Sequence, residues 1–111
     1  MQASRSKDYQ TGIINCTNAI NAISSEKEKA LPYRFRAGLK RSSGDLEGAD
    51  ADFTLSISAD PNDYVGYENR GCLRYVMGKT AEANADIDKA HALNPSTPSS
   101  GEYNFAGLCR K

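Results

Sequence analysis

Apolar side chains recur at three- and four-residue intervals along most of this chain, and the intervals between prolines and glycines cut that pattern into helix-sized pieces. Between Asp8 and Ile23 the stripe is Tyr9, Ile13, Cys16, Ile20 and Ile23, which predicts an amphipathic helix preceded by a frayed, polar segment over residues 1–7. Ser25 and Glu28 have capping-box spacing, yet a helix started there encloses Pro32, whose ring removes a donor and clashes with the preceding turn. The second helix is therefore expected to begin near Leu31 with Pro32 in its first turn. It continues through Tyr33, Ala37 and Leu39 to Ser43-Gly44, where glycine can take a left-handed cap. Asp45 caps a third helix striped by Leu46, Ala49, Phe53 and Ile57, with Glu47, Asp50 and Asp52 facing away or toward neighbouring basic residues. Asn62 or Asp63 caps a fourth that runs to about Met77, and after Gly78 Thr80 caps a fifth that runs to about Leu93, closed by Pro95. After the turn-rich STPSSG, the segment EYNFAGLCRK predicts the start of a sixth helix. Strand signals are scarce.

The helices repeat. Tyr33 and Tyr67, Ala37 and Gly71, Gly44 and Gly78, Ala49 and Ala83, Phe53 and Ile87, and Pro61 and Pro95 are each 34 residues apart. Gly12 and Cys16 precede Ala49 and Phe53 by 37, because the SSEKEKA linker carries three extra residues. The four-residue step from Tyr67 to Gly71 returns from Tyr103 to Gly107. The expected organisation is a single domain over 1–111 with a half repeat at 8–23, repeats at 30–61 and 64–95, and a half repeat at 100–111. A helical hairpin of this size cannot bury its apolar face alone, so stacked hairpins are expected to share a core.

The set Tyr67, Gly71, Gly78, Ala83, Ile87, Ala90 and Pro95, and its copy Tyr33, Ala37, Gly44, Ala49, Phe53 and Pro61, resembles the tetratricopeptide repeat. The resemblance covers roughly residues 8–111 and implies an all-α fold, a right-handed α-solenoid of antiparallel helix pairs. It departs from the family pattern at Lys40, Arg74 and Arg110, where an aromatic residue is usual, and at Ser56, where alanine is. It further implies a concave groove for an extended or helical peptide. By the matching of turns the groove falls on Leu31, Arg34, Gly38 and Arg41 of one helix and Val65, Glu68, Asn69, Cys72, Tyr75 and Val76 of the next. Arg34 and Arg41 are seven apart and share a helix face, where they suit carboxylates of a partner. Gly38 stands where the family's carboxylate clamp has asparagine, which leaves that clamp incomplete.

Charge and chemistry narrow the alternatives. Fourteen basic and fourteen acidic residues cancel, so no broad positive field favours nucleic acid or an anionic membrane. Tyr33, Arg34, Phe35, Arg36, Lys40 and Arg41 interleave rings with positive charge, as base-stacking surfaces do. Tyr33 is a core position of the repeat, however, and the acidic run on the adjoining helix opposes phosphate, so nucleic acid is not the expected partner. Cys16, Cys72 and Cys109 are odd in number and widely spaced; they suggest neither a disulfide framework nor a metal site, and a reducing, cytoplasmic setting is expected. Nowhere do eighteen apolar residues run together, and the first ten residues have no signal-peptide core. The one histidine, His91, reads as a surface residue near a helix end. No convergent nucleophile, base or metal set appears, so no catalysis and no cofactor are expected. The function expected is a non-catalytic module that binds a protein or peptide partner. The alternative is self-assembly, because the sixth helix offers Tyr103, Phe105 and Leu108 while the first lacks its hairpin partner, and two chains could complete one repeat between them.

Overall fold

A computed structural model describes residues 2–109, with side chains described for 8–107 and 109. The described residues form six helices: α1 (Gln2–Ala22), α2 (Ala30–Ser42), α3 (Leu46–Ala59), α4 (Tyr64–Val76), α5 (Thr80–Leu93) and α6 (Phe105–Leu108). One turn of 3-10 helix, Lys27–Lys29, leads into α2. They divide into two compact units, Met1–Asp60 and Pro61–Lys111. In the first, α1 packs on α2 and α2 on α3; in the second, α4 packs on α5, and α6 lies against α4. This is the all-α arrangement of sequential, antiparallel-like helix pairs that the 34-residue period predicts. Two expectations shift at the ends. Helix α1 begins at Gln2 rather than Asp8, and the last half repeat is not a full first helix but a single turn, with Tyr103 ahead of it and Asn104 as its N-cap.

The hairpin turns are built identically. Gly44 and Gly78 take positive φ, 97° and 83°, a region that costs other residues a clash at Cβ. Each lets the chain fold back on the helix it ends: Asp45 N–H donates to Lys40 O at 2.8 Å, and Lys79 N–H to Arg74 O at 2.8 Å. These bonds satisfy carbonyls that the helix end would otherwise leave open. Asp45 and Asp63 then cap α3 and α4 through their carboxylates, which accept from Gly48 and Val65 N–H. Thr80 does not cap α5. It is already the first helical residue, and the N-cap is Lys79, whose side chain has no acceptor to offer.

Small residues set how closely the helices approach. A Cβ added to Gly71 would lie 3.0 Å from Ile87 Cδ1 and 3.2 Å from the Ala83 carbonyl oxygen, so α4 and α5 touch there almost backbone to side chain. The matching residue of the first unit, Ala37, is fully buried. Around these points the first unit buries Ile20, Ala49, Phe53 and Ile57, and the second buries Leu73, Ala83, Ile87 and Ala90.

Each hairpin also buries a carboxylate. Asp52 and Asp86 are only 2% and 4% exposed, and each accepts a two-pronged arginine from the facing helix. Arg36 reaches Asp52 through Nε and Nη2 at 2.7 Å each, and Arg70 reaches Asp86 at 2.9 and 2.7 Å. A second cation one turn on completes each cluster, Lys40 Nζ at 3.0 Å from Asp52 and Arg74 Nη1 at 3.3 Å from Asp86. Lys40 and Arg74, set down as departures from an aromatic pattern, are thus the second counter-ions of buried aspartates. Arg36 donates as well to Thr17 Oγ1 of α1 at 3.0 Å, which ties the third helix of the unit to the cluster. Its side-chain hydrogen bond to Asp52 raises the guanidinium pKa, more than burial lowers it. Tyr33 and Tyr67 place their rings 5.7 and 5.9 Å from the same two guanidinium carbons. Ser56 has a role of its own: its hydroxyl donates to the Ala30 carbonyl at 2.7 Å and fastens the end of α3 to the start of α2.

Removing one member of such a set strands the others. Asp52→Ala leaves Arg36 and Lys40 without a counter-ion and should lower stability by about 3–5 kcal/mol in urea unfolding followed by helical ellipticity, whereas apolar replacement of all three residues should cost far less. Gly71→Ala should cost about 1–3 kcal/mol by the same measurement, because neither Ile87 nor the α5 backbone can withdraw without loosening the hairpin.

Candidate interaction surface

Helix α2 turns two large apolar side chains outward. Leu31 is 46% exposed and Phe35 59%, and their four-residue spacing puts them on one face. One turn further, nothing lies within 4 Å of where a Cβ on Gly38 would be, so the face stays open there. Arg34 and Arg41, both half-buried, bring positive charge to the same helix. Phe35 was not among the expected groove residues, although its counterpart 34 residues on, Asn69, was; strict use of the repeat register would have included it. Ile14 on α1 and Leu55 on α3 are exposed as well, each without an exposed large apolar neighbour one turn away on its own helix.

The corresponding face of α4 is different. Val65, Glu68, Asn69, Tyr75 and Val76 are half-buried, and Cys72 is buried. Cys72 forms a disulfide with Cys109, contrary to the expectation of three unpaired thiols. An odd cysteine count and a separation of 37 residues gave no sign of the bond; the fold creates it by returning the chain end to α4. Cys16, on the apolar stripe expected for the first helix, is a half-buried free thiol. Around the bridge, Phe105 stacks on Tyr75 with ring centroids 4.9 Å apart and planes inclined by 21°, and Tyr103 leans on Phe105 at the same distance. The Tyr103 hydroxyl lies 3.2 Å from Cys72 Sγ. So the residues expected to form two surfaces, Cys72 and Tyr75 for a ligand and Tyr103 and Phe105 for another chain, meet in one cluster within the second unit. The side chain of Leu108, and Arg110 altogether, lie outside the described residues.

The approach to α6 is pinned to α5. His91 is half-buried rather than a free surface residue, and its Nδ1–H donates to the Thr97 carbonyl at 2.6 Å. Asp88 accepts from Ser100 N–H and Oγ at 2.8 and 3.0 Å. Asn104 then accepts from Gly107 N–H at 2.9 Å and starts α6.

Of the interleaved basic and aromatic run, Arg36 and Lys40 are consumed by Asp52. Among the described residues no group of three or more His, Cys, Asp or Glu is placed to hold a metal ion, and no helix is long and apolar enough to cross a membrane. No protein-family model matches the chain, and no curated protein matches it. What the geometry supports is a generic helical-repeat packing, with one open apolar face on α2 and one covered face on α4.

Burial, and secondarily the charge of Glu68, raises the Tyr103 phenol above its ordinary value of about 10. A pKa raised by folding means that the protonated phenol's contribution is complete below the unfolded value and is lost as pH climbs through the folded one. Difference titration of tyrosinate absorbance between the wild type and Tyr103→Phe should therefore isolate one phenol that ionises at higher pH than a free tyrosine. A midpoint at the ordinary value would show that Tyr103 is not held against α4.

Proposed function

We propose that this protein is a non-catalytic protein-interaction module of tetratricopeptide-like helix pairs, working in the cytoplasm, whose α2 face holds a peptide segment of a partner protein. The observation that carries the reading is the pair Leu31 and Phe35. A hairpin that buries Ala37 and Phe53 completely or nearly so leaves these two large side chains in water, one turn apart, beside the open position at Gly38. A contiguous apolar strip of this kind gains free energy when a second apolar surface covers it. Arg34 and Arg41 add the complement for acidic groups, so the fitting segment carries an apolar anchor flanked by carboxylates. Self-assembly through the chain ends is the weaker reading, because Phe105 already stacks on Tyr75, and Tyr103 on Phe105 and against Cys72, within their own chain.

Selection of a displayed peptide library on the full chain should enrich sequences that place an aromatic or aliphatic residue next to Asp or Glu. Phe35→Ala should weaken the selected peptides on the order of tenfold, the scale of a central anchor residue, and Arg34→Ala with Arg41→Ala should weaken them in a salt-dependent way. Unchanged affinity in both variants would place the binding surface elsewhere.

A further inference from the structure

The two units carry the same repeat, and one first helix is covered where the other is open. On α4, Glu68, Cys72 and Tyr75 follow one another at the spacing of a helix face, and the segment 103–109 meets Cys72 and Tyr75. Tyr103 approaches Cys72 Sγ and feels the charge of Glu68, Phe105 stacks on Tyr75, and Cys109 is bonded to Cys72. The matching residues of α2 are Arg34, Gly38 and Arg41, and the position of Gly38 has no neighbour above it.

Helix α6 is four residues long, too short to persist by its own backbone bonds. Among the described residues the segment's side chains meet α4 in a ring stack, a sulfur–hydroxyl contact and the disulfide. We propose that residues 103–109 form a redox-latched strap over the binding face of α4, closed by the Cys72–Cys109 disulfide and opened by a dithiol reductant. Its occupant in the oxidised chain is the protein's own C-terminal segment; on reduction the face is vacated for a peptide in trans. The second half of this statement rests on the interaction-module reading, whereas the latch itself does not.

The chemistry balances. One thiolate of the dithiol attacks Cys72 Sγ, the more exposed residue of the pair at 8% against 1%, and Cys109 leaves as a thiolate and takes a proton. The second thiolate of the reductant then attacks its own sulfur in the mixed disulfide and expels the Cys72 thiolate, which is protonated in turn. Two electrons and two protons pass to the protein, and the reductant ends as a cyclic disulfide. In a reducing compartment a disulfide is characteristically transient, which suits a latch rather than a permanent staple.

Amide hydrogen exchange read by mass spectrometry tests the latch on the full chain, oxidised and with dithiothreitol, alongside Cys109→Ser. Reduction and the substitution should each accelerate exchange over residues 103–109 at least tenfold while the amides of α4 and α5 keep their protection. Unchanged exchange in the strap, collapse of α4 and α5 with it, or a chain whose cysteines are all alkylated without reductant would each overturn the proposal. A labelled peptide of the chain's own residues 101–111 with serine at the cysteine position tests the vacated face. It should bind Cys109→Ser at least tenfold more tightly than the oxidised wild type. Equal binding, with exchange behaving as expected, would remove the docking role and leave the strap; unchanged exchange would remove the strap itself.

Discussion

A carboxylate taken out of water inside a helical hairpin is tolerable only when cations arrive in fixed geometry, and that requirement shapes both units of this protein. Asp52 and Asp86 sit on the second helix of their hairpins and draw a bidentate arginine from the first, sixteen residues earlier in each case. A guanidinium locked fork to fork sets both the spacing and the rotation of the two helices, more narrowly than apolar contacts do. The close approach at Gly71, the small residues Ala37, Ala49 and Ala83, and the identical glycine turns all fit the same helix register. Burial of this pair contributes more to specifying the packing than to net stability, since desolvation offsets much of the attraction.

Charge spent inside is charge withdrawn from the surface. Each cluster holds two cations against one aspartate, Arg36 and Lys40 in one unit and Arg70 and Arg74 in the other, and the first two belong to the interleaved basic and aromatic run of α2. With them engaged, the surface of α2 is defined instead by Leu31 and Phe35, with Arg34 and Arg41 at its side. The same stretch therefore interleaves rings and cations when taken linearly and presents an exposed apolar pair once its ion pairs are assigned.

The fold was legible because it rests on local, periodic signals. Gly44 and Gly78 mark turns by backbone sterics, Asp45 and Asp63 mark helix starts by their acceptors, and Pro32 fixes where α2 can begin. Thr80 misled because a good capping residue one position late is simply helical, and nothing in composition shows that Lys79 takes the cap. The candidate site was legible only in part. Residues on α2 and α4 follow from register, but the pairing of Arg36 with Asp52 and of Cys72 with Cys109 joins positions that are adjacent only after folding. The shortness of α6 is of the same kind: EYNFAGLCRK has helical spacing, yet Asn104 captures the Gly107 amide and starts the helix late.

One position concentrates the difference between the two units. Gly38 and Cys72 are equivalent in the repeat, and each lies at the centre of the outward face of its helix. Glycine there offers a partner backbone close approach and holds nothing in place; cysteine there can form the one covalent bond that keeps a four-residue helix against its neighbour. Closing a loop of 37 residues in this way restricts the unfolded chain by an amount worth about 4 kcal/mol in the chain-entropy account, more than a short aromatic contact contributes. The covering of α4 therefore depends on the oxidation state of one residue pair, while α2, built on the same repeat, has glycine at the matching position and no such bond. Two neighbouring copies of one motif thus differ in availability through a single residue at the same register position.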